Sequence, residues 1–166
     1  MKKIGLFYGT TGGMTTGVVD EFEFNLRDEA EIFNVEDGIK ELPNFENLIL
    51  VTPSYGFGEL EAHWEKVIEE FKKIDFTGKI VGLVGLGSQT TFGESFVGAL
   101  KVLYDIVVKN GGTIVGLTST EGYKFEDCES IIDGKFMGLV LDEHNQDDMT
   151  PDRIYDWLEE VKKEFV

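Results

Sequence analysis

The sequence predicts an α/β protein whose five-stranded parallel sheet is doubly wound, in strand order 2-1-3-4-5, with an insertion in the last strand. Three observations lead there. Short apolar, β-branched runs bounded by glycine or polar residues recur five times, as "KIGLFY", "EIFNV", "NLILVT", "KIVGLVG" and "TIVGLTST". They are apolar on both alternating faces, as parallel strands covered on both sides must be. Amphipathic helical patterns lie between them, which implies crossover connections and a parallel sheet. The 166 residues, 42% hydrophobic and 28% charged, suit one globular domain with a sizeable core rather than a disordered or fibrous chain. The expected organisation is a single domain over residues 1–166, with no linker, repeat or low-complexity tract.

"KIGLFY" opens the sheet, and the helix after it, around "TTGVVDEFEFNL", is weakened by Gly17 and its β-branched residues. "EIFNV" and "NLILVT" supply the second and third strands. In "ELEAHWEKVIEEFKKI", Leu60, Trp64, Val67, Ile68, Phe71 and Ile74 form one stripe, with glutamates and lysines on the other face. After "KIVGLVG", a second stripe of Phe96, Leu100, Leu103 and Val107 stops at Gly111 and Gly112, where glycine takes the left-handed cap conformation. "TIVGLTST" begins the fifth strand. Glu121–Gly138 interrupts it and reads as an inserted loop, after which "LVLD" resumes the strand. Thr150 is placed to cap the last helix, with Pro151 at its first position and Ile154, Trp157, Leu158, Val161 and Phe165 along one face.

Thirty-two acidic against 15 basic residues leave a formal charge of −17. Such a surface repels nucleic acid and anionic lipid, and attracts basic protein partners. No apolar run approaches the roughly 18 residues of a membrane span, "MKKIGLFYG" lacks the features of a secretory signal, and the one cysteine, Cys128, cannot close an internal disulfide. The expectation is a cytoplasmic monomer.

In a doubly wound sheet, ligands bind beyond the carboxyl ends of the strands. After strand one, "GTTGGMTT" can wrap backbone N–H groups round an anion at a helix start, with Thr10, Thr11 and Thr15 adding hydroxyls. Phosphate suits it, although the loop has neither the spacing nor the lysine of a nucleoside-triphosphate loop. A ligand-free glycine turn has the same pattern. After strand three, "TPSYGFGELEAHW" sets Tyr55 and Phe57 about a glycine beside Ser54. These rings suit a flat ring system or, equally, cap the core. After strand four, "GLGSQTTFGESF" brings Phe92 among small polar residues.

These loops, in this order, resemble those of the long-chain flavodoxins, and the likeness covers nearly the whole chain. "TTGGMT" keeps the frame of the family's Thr-x-Thr-Gly-x-Thr phosphate loop. "TPSYGFGELEAHWE" is similar to the isoalloxazine-covering loop and "GLGSQTTFGESF" to the second flavin loop, while "GKFMGLVLDEHNQDDMTPDRIYDWL" is similar to the end of the long-chain insertion and the final helix. The resemblance implies a low-potential one-electron carrier with non-covalent FMN. It places Thr10, Thr11, Gly12, Gly13, Met14 and Thr15 at the phosphate. It places Thr52, Pro53, Ser54, Tyr55, Gly56, Phe57 and Gly58, with Gly85, Leu86, Gly87, Phe92 and His144, about the ring and ribityl chain, Gly56 facing the flavin N5 edge. Several positions depart from the family pattern. Gly12 replaces a threonine, Tyr55 a tryptophan, Phe92 a tyrosine, Ser88 an aspartate and His144 an acidic residue. The partners implied are basic redox proteins, a reductase donor and acceptor enzymes, docking on an acidic rim for which Glu59, Glu61 and Glu94 are candidates.

The alternative function is an FMN-dependent NAD(P)H or quinone reductase. A receiver-type signalling domain would need paired acidic residues after strand one, where the chain has "YGTTGG". His63 is expected to be solvated, Met14 and Met137 to pack, and Cys128 to be unreactive because negative charge disfavours its thiolate. No side-chain group is nominated for catalysis or metal binding.

Overall fold

A computed structural model describes residues 1–55, 59–90 and 96–166. In chain order the elements are β1 (Ile4–Tyr8), α1 (Met14–Leu26), β2 (Ala30–Asn34), β3 (Asn47–Tyr55), β4 (Glu59–Leu60), α2 (Ala62–Phe71), β5 (Ile80–Leu86) and α3 (Ala99–Lys109). There follow β6 (Thr113–Val115), β7 (Thr118–Ser119), β8 (Ile131–Ile132), β9 (Lys135–Phe136), β10 (Leu139–Leu141) and α4 (Thr150–Val161). The main sheet runs β2-β1-β3-β5, parallel throughout, and its fifth position is shared. β6 pairs with the first half of β5 (Ile80↔Thr113) and β10 with the second (Val84↔Leu139). This is the expected 2-1-3-4-5 order, with its last strand split by the insertion.

Alternation along the strands builds two cores. Phe7, Leu48, Leu50, Val81 and Leu83 meet α2 and α3 through Trp64, Phe71, Leu100, Leu103 and Val107 on one face. Ile4, Leu6, Ile49, Val51 and Val84 meet α1 and α4 through Val18, Phe22, Ile154, Trp157 and Val161 on the other. Edge strand β2 is only partly buried, because β1 alone pairs with it.

Three expectations are corrected. "TIVGLTST" does not continue as one strand: the chain leaves the sheet at Gly116 (φ 79°), and Thr118–Ser119 pairs instead with β9. The insertion is more than a loop, since β7, β9 and β8 form their own antiparallel sheet, over which Phe136 packs with Phe96, Tyr123 and Phe125. Thr150 does not cap α4. Its hydroxyl donates to Glu143 Oε1, while Pro151 does sit at the start of the helix. Among the described residues no helix is long and apolar enough to cross a membrane.

Candidate functional site

The carboxyl ends of β1, β3, β5 and β10 lie along one edge of the sheet, and the loops leaving them make the candidate site. After β1, Gly9 N–H is held by Val51 O at 3.1 Å. The loop then closes on itself. Gly13 N–H donates to Thr10 Oγ1 at 3.1 Å, Gly13 takes a left-handed conformation (φ 82°), and Thr16 Oγ1 donates back to Gly13 O. Among the described residues, the N–H groups of Thr11, Gly12 and Met14 meet no acceptor in the protein. Nothing lies within 4 Å of where a Cβ of Gly12 would stand, so the space above the loop is open. No acidic residue occupies the first turn of α1, although the chain carries 32. Open donors at the positive end of a helix, with no internal anion to neutralise them, suit a phosphate dianion. Thr15 is buried, whereas Met14 is 44% exposed and does not pack as expected.

At the end of β3, Thr52 and Pro53 are buried. The Thr52 hydroxyl donates to Pro53 O, and Ser54 Oγ accepts the Ala99 N–H at the start of α3, so these residues first stiffen the strand end. Ser54 and the backbone of Tyr55 pair with Leu60 and Glu59. Gly56, Phe57 and Gly58 lie outside the described residues, as do Phe92 and Glu94.

Glu61 corrects an expectation, because it is not part of an acidic rim. It is fully buried and forms the N-cap of α2, accepting Trp64 N–H at 3.1 Å and the Thr11 hydroxyl at 2.5 Å. His63 is likewise not solvated. Its Nδ1 lies 3.2 Å from Glu61 Oε2, outside hydrogen-bond geometry, and its Nε2 lies 3.8 Å from Glu36 Oε1. Glu59 remains exposed.

At the end of β5, Gly85 and Leu86 are buried. A Cβ on Gly85 would stand 2.7 Å from Leu100 Cγ, so this glycine lets α3 pack closely. Gly87 N–H donates to Leu141 O at 3.1 Å. Beyond it, the fully buried Asp142 is a hub. Its carboxylate accepts Gln89 N–H and Nε2, Asn145 N–H and Nδ2, and His144 N–H, at 2.8–3.1 Å. Burial would push the Asp142 carboxyl up, but the hydrogen bonds from Gln89 and Asn145 hold it below the ordinary carboxylate value. Ser88 joins this network through Asn145 Nδ2 at 3.3 Å. The insertion is tied to it as well, through Lys124 N–H to Gln89 Oε1 and Gln146 Nε2 to Gly122 O. The His144 side chain is exposed.

Cys128 is half-buried, and its thiol is pushed up to about 11, by burial first and only then by Asp127 and Glu129. Met137 is buried. Among the described residues no group of three His, Cys, Asp or Glu side chains is placed to hold a metal. Sequence reasoning missed Glu61 and Asp142 as organisers. Both carried a signal: Glu61 stands three residues before Trp64 of the helical stripe, a capping distance once Leu60 is found in β4 and not on the helix, and Asp142 opens an Asx turn in "DEHNQ".

Comparison with known proteins places this architecture. A family model described as flavodoxin matches residues 6–157. The chain is 39% identical to a flavodoxin of Nostoc sp. over 168 residues, covering 99% of this chain and 98% of that one. It is 40% identical to a flavodoxin of Helicobacter pylori over 166 residues, covering 99% of each. The crystal structure of a Fusobacterium nucleatum flavodoxin bound to flavin mononucleotide superposes with a TM-score of 0.97 at 57% identity, covering 100% of both chains.

Proposed function

The chain belongs to the flavodoxin family, and from that premise we propose that it carries electrons one at a time between redox proteins on a non-covalently bound FMN, without a substrate of its own. The observation that carries the cofactor assignment is the loop from Thr10 to Thr15, with its open N–H groups at the head of α1 and clear space above Gly12. When bound, the flavin supplies the redox chemistry. The protein binds it, orients it and keeps water from it. Backbone N–H groups of Thr11, Gly12 and Met14 and the hydroxyls of Thr10 and Thr15 hold the phosphate. The Thr11 hydroxyl is engaged by Glu61, so that residue contributes through its backbone. A phosphate monoester needs no metal and no lysine here, because neutral dipoles at short range act even in the field of a chain charged −17. In this reading the loops spanning 52–58 and 85–92 cover the ring, with Tyr55 and Phe92 as its aromatic neighbours and His144 toward the ribityl chain.

Basic partners, a reductase donor and acceptor enzymes, meet the acidic surface. Glu59 and Glu65, exposed beside the loop after β3, are candidates for the docking rim. A half-buried lone Cys128 fits work as a monomer in a reducing cytoplasm.

The protein as purified should be yellow, with one FMN per chain and far weaker affinity for riboflavin, which lacks the phosphate. Equal affinity for the two flavins would refute the phosphate-loop assignment. NADPH alone should leave the flavin oxidised, and adding a basic reductase should bleach it. Bleaching by NADPH alone would favour a reductase instead.

A further inference from the structure

From the geometry beneath the phosphate loop, we infer that Glu61 is a positioning residue for FMN, a buried carboxylate that clamps Thr11 to the head of α2 and so fixes the loop whose N–H groups take the phosphate. The inference rests on the phosphate-loop reading above. Three contacts carry it. The Thr11 hydroxyl donates to Glu61 Oε2 across a short 2.5 Å. The other oxygen caps Trp64 N–H at 3.1 Å, where the positive end of α2 favours a negative charge. Room for the side chain is made by the loop itself, because a Cβ on Gly9 would stand 2.2 Å from Glu61 Oε1 and 2.6 Å from Trp64 Cδ1. Gly9 and Glu61 therefore fit only as a pair.

The clamp spans 50 residues of sequence and joins the loop after β1 to the head of α2. It is anchored by Trp64, whose Nε1 donates to Val51 O at 2.9 Å. A carboxylate beside an anion-binding loop opposes the anion electrostatically. Its retention in a fully buried position is explained by the order it imposes on Thr11–Gly12–Gly13, a run with two glycines and few contacts of its own.

The test uses the full chain freed of bound flavin and titrated with FMN and with riboflavin. In Glu61→Ala the FMN dissociation constant should rise about tenfold or more while that for riboflavin moves by less than about threefold, because only FMN uses the ordered loop. Glu61→Gln can keep the cap with its one oxygen and hold Thr11 by donating its amide N–H to the hydroxyl, so it should retain most of the discrimination that the alanine variant loses. Thr11→Val, which cuts the clamp from the exposed side without touching the cap, should lower discrimination in the same direction, and it carries the test if the alanine variant does not fold. Parallel weakening of both flavins would show a merely structural residue and overturn the inference, as would unchanged discrimination in Thr11→Val or failure of the glutamine to rescue. A wild-type chain that did not prefer FMN would overturn the phosphate-loop reading itself.

Discussion

At the scale of single residues, the site is held by two buried acids that face inward, Glu61 under the phosphate loop and Asp142 behind the loop after β5. Asp142 leads to a prediction about pH. Its folded carboxyl titrates below the ordinary 3.8, so it contributes stability that is fully present above the unfolded value and is lost as pH falls through the lower folded value. Asp142→Asn should cost roughly 1 to 3 kcal/mol at pH 7, because an amide offers one acceptor where five donors converge. The gap between variant and wild type should narrow as pH drops from about 5 toward 3. Urea midpoints across that range check it, and a gap that widened in acid would contradict the assignment. The anion-cradle reading of Thr10 and Gly12 was open to the sequence, because glycines and hydroxyl residues between an apolar strand and a helix are what such a cradle needs, but a ligand-free turn has the same pattern. The burial of Glu61 and Asp142 was harder to read: a place before a helix or at an Asx turn marks a capping role, but among 32 acidic residues it does not say which carboxylates are buried.

At the scale of elements, strands and helices were legible wherever periodicity and burial agree. The stripe through Trp64 and Phe71 and that through Leu100, Leu103 and Val107 face the core as their spacing requires. The departure of the chain at Gly116 was not legible. An apolar run continues through "TIVGLT", and the partner that captures Thr118–Ser119 lies some 17 residues further on, in β9. The resumption of the strand depends on Gly138, just before β10. A Cβ there would stand 2.1 Å from Leu83 O, a backbone atom that cannot swing aside. Gly138→Ala should therefore push β10 off β5 and destabilise the fold by roughly 1 to 3 kcal/mol or more, the range for overpacking. Gly134→Ala in the same insertion has open space but a positive φ of 78°, and should cost only about 1 kcal/mol of backbone strain. Thermal unfolding of the two variants separates steric from conformational cost, and equal losses would show that β10 tolerates the methyl group.

At the scale of the whole molecule, one quantity, the charge of −17, acts on stability and on partner encounter with opposite dependence on salt. Among the described residues the lysines make five ion pairs with Asp or Glu, all at the surface. Such pairs are worth only about 0 to 1 kcal/mol each, so most of the acidic excess is left to repel itself. Screening shortens the reach of that repulsion to about 10 Å at 0.1 M salt and about 3 Å at 1 M. Raising sodium chloride from about 0.05 to 0.5 M should therefore raise the melting temperature, by roughly 2 to 4 °C for each kcal/mol of repulsion relieved in a chain of this size. In the proposed docking, the same screening weakens the attraction between a basic redox protein and the acidic rim. The second-order rate of electron transfer to such a partner should fall about tenfold or more over the same range, as expected for steered association. Measuring both on one preparation makes the common cause testable. A rate that fell while the melting temperature also fell would mean that salt acts through the surface ion pairs rather than through net repulsion. A rate indifferent to salt would mean that partners dock through apolar contacts, with the acidic surface serving only to keep nucleic acid and anionic lipid away.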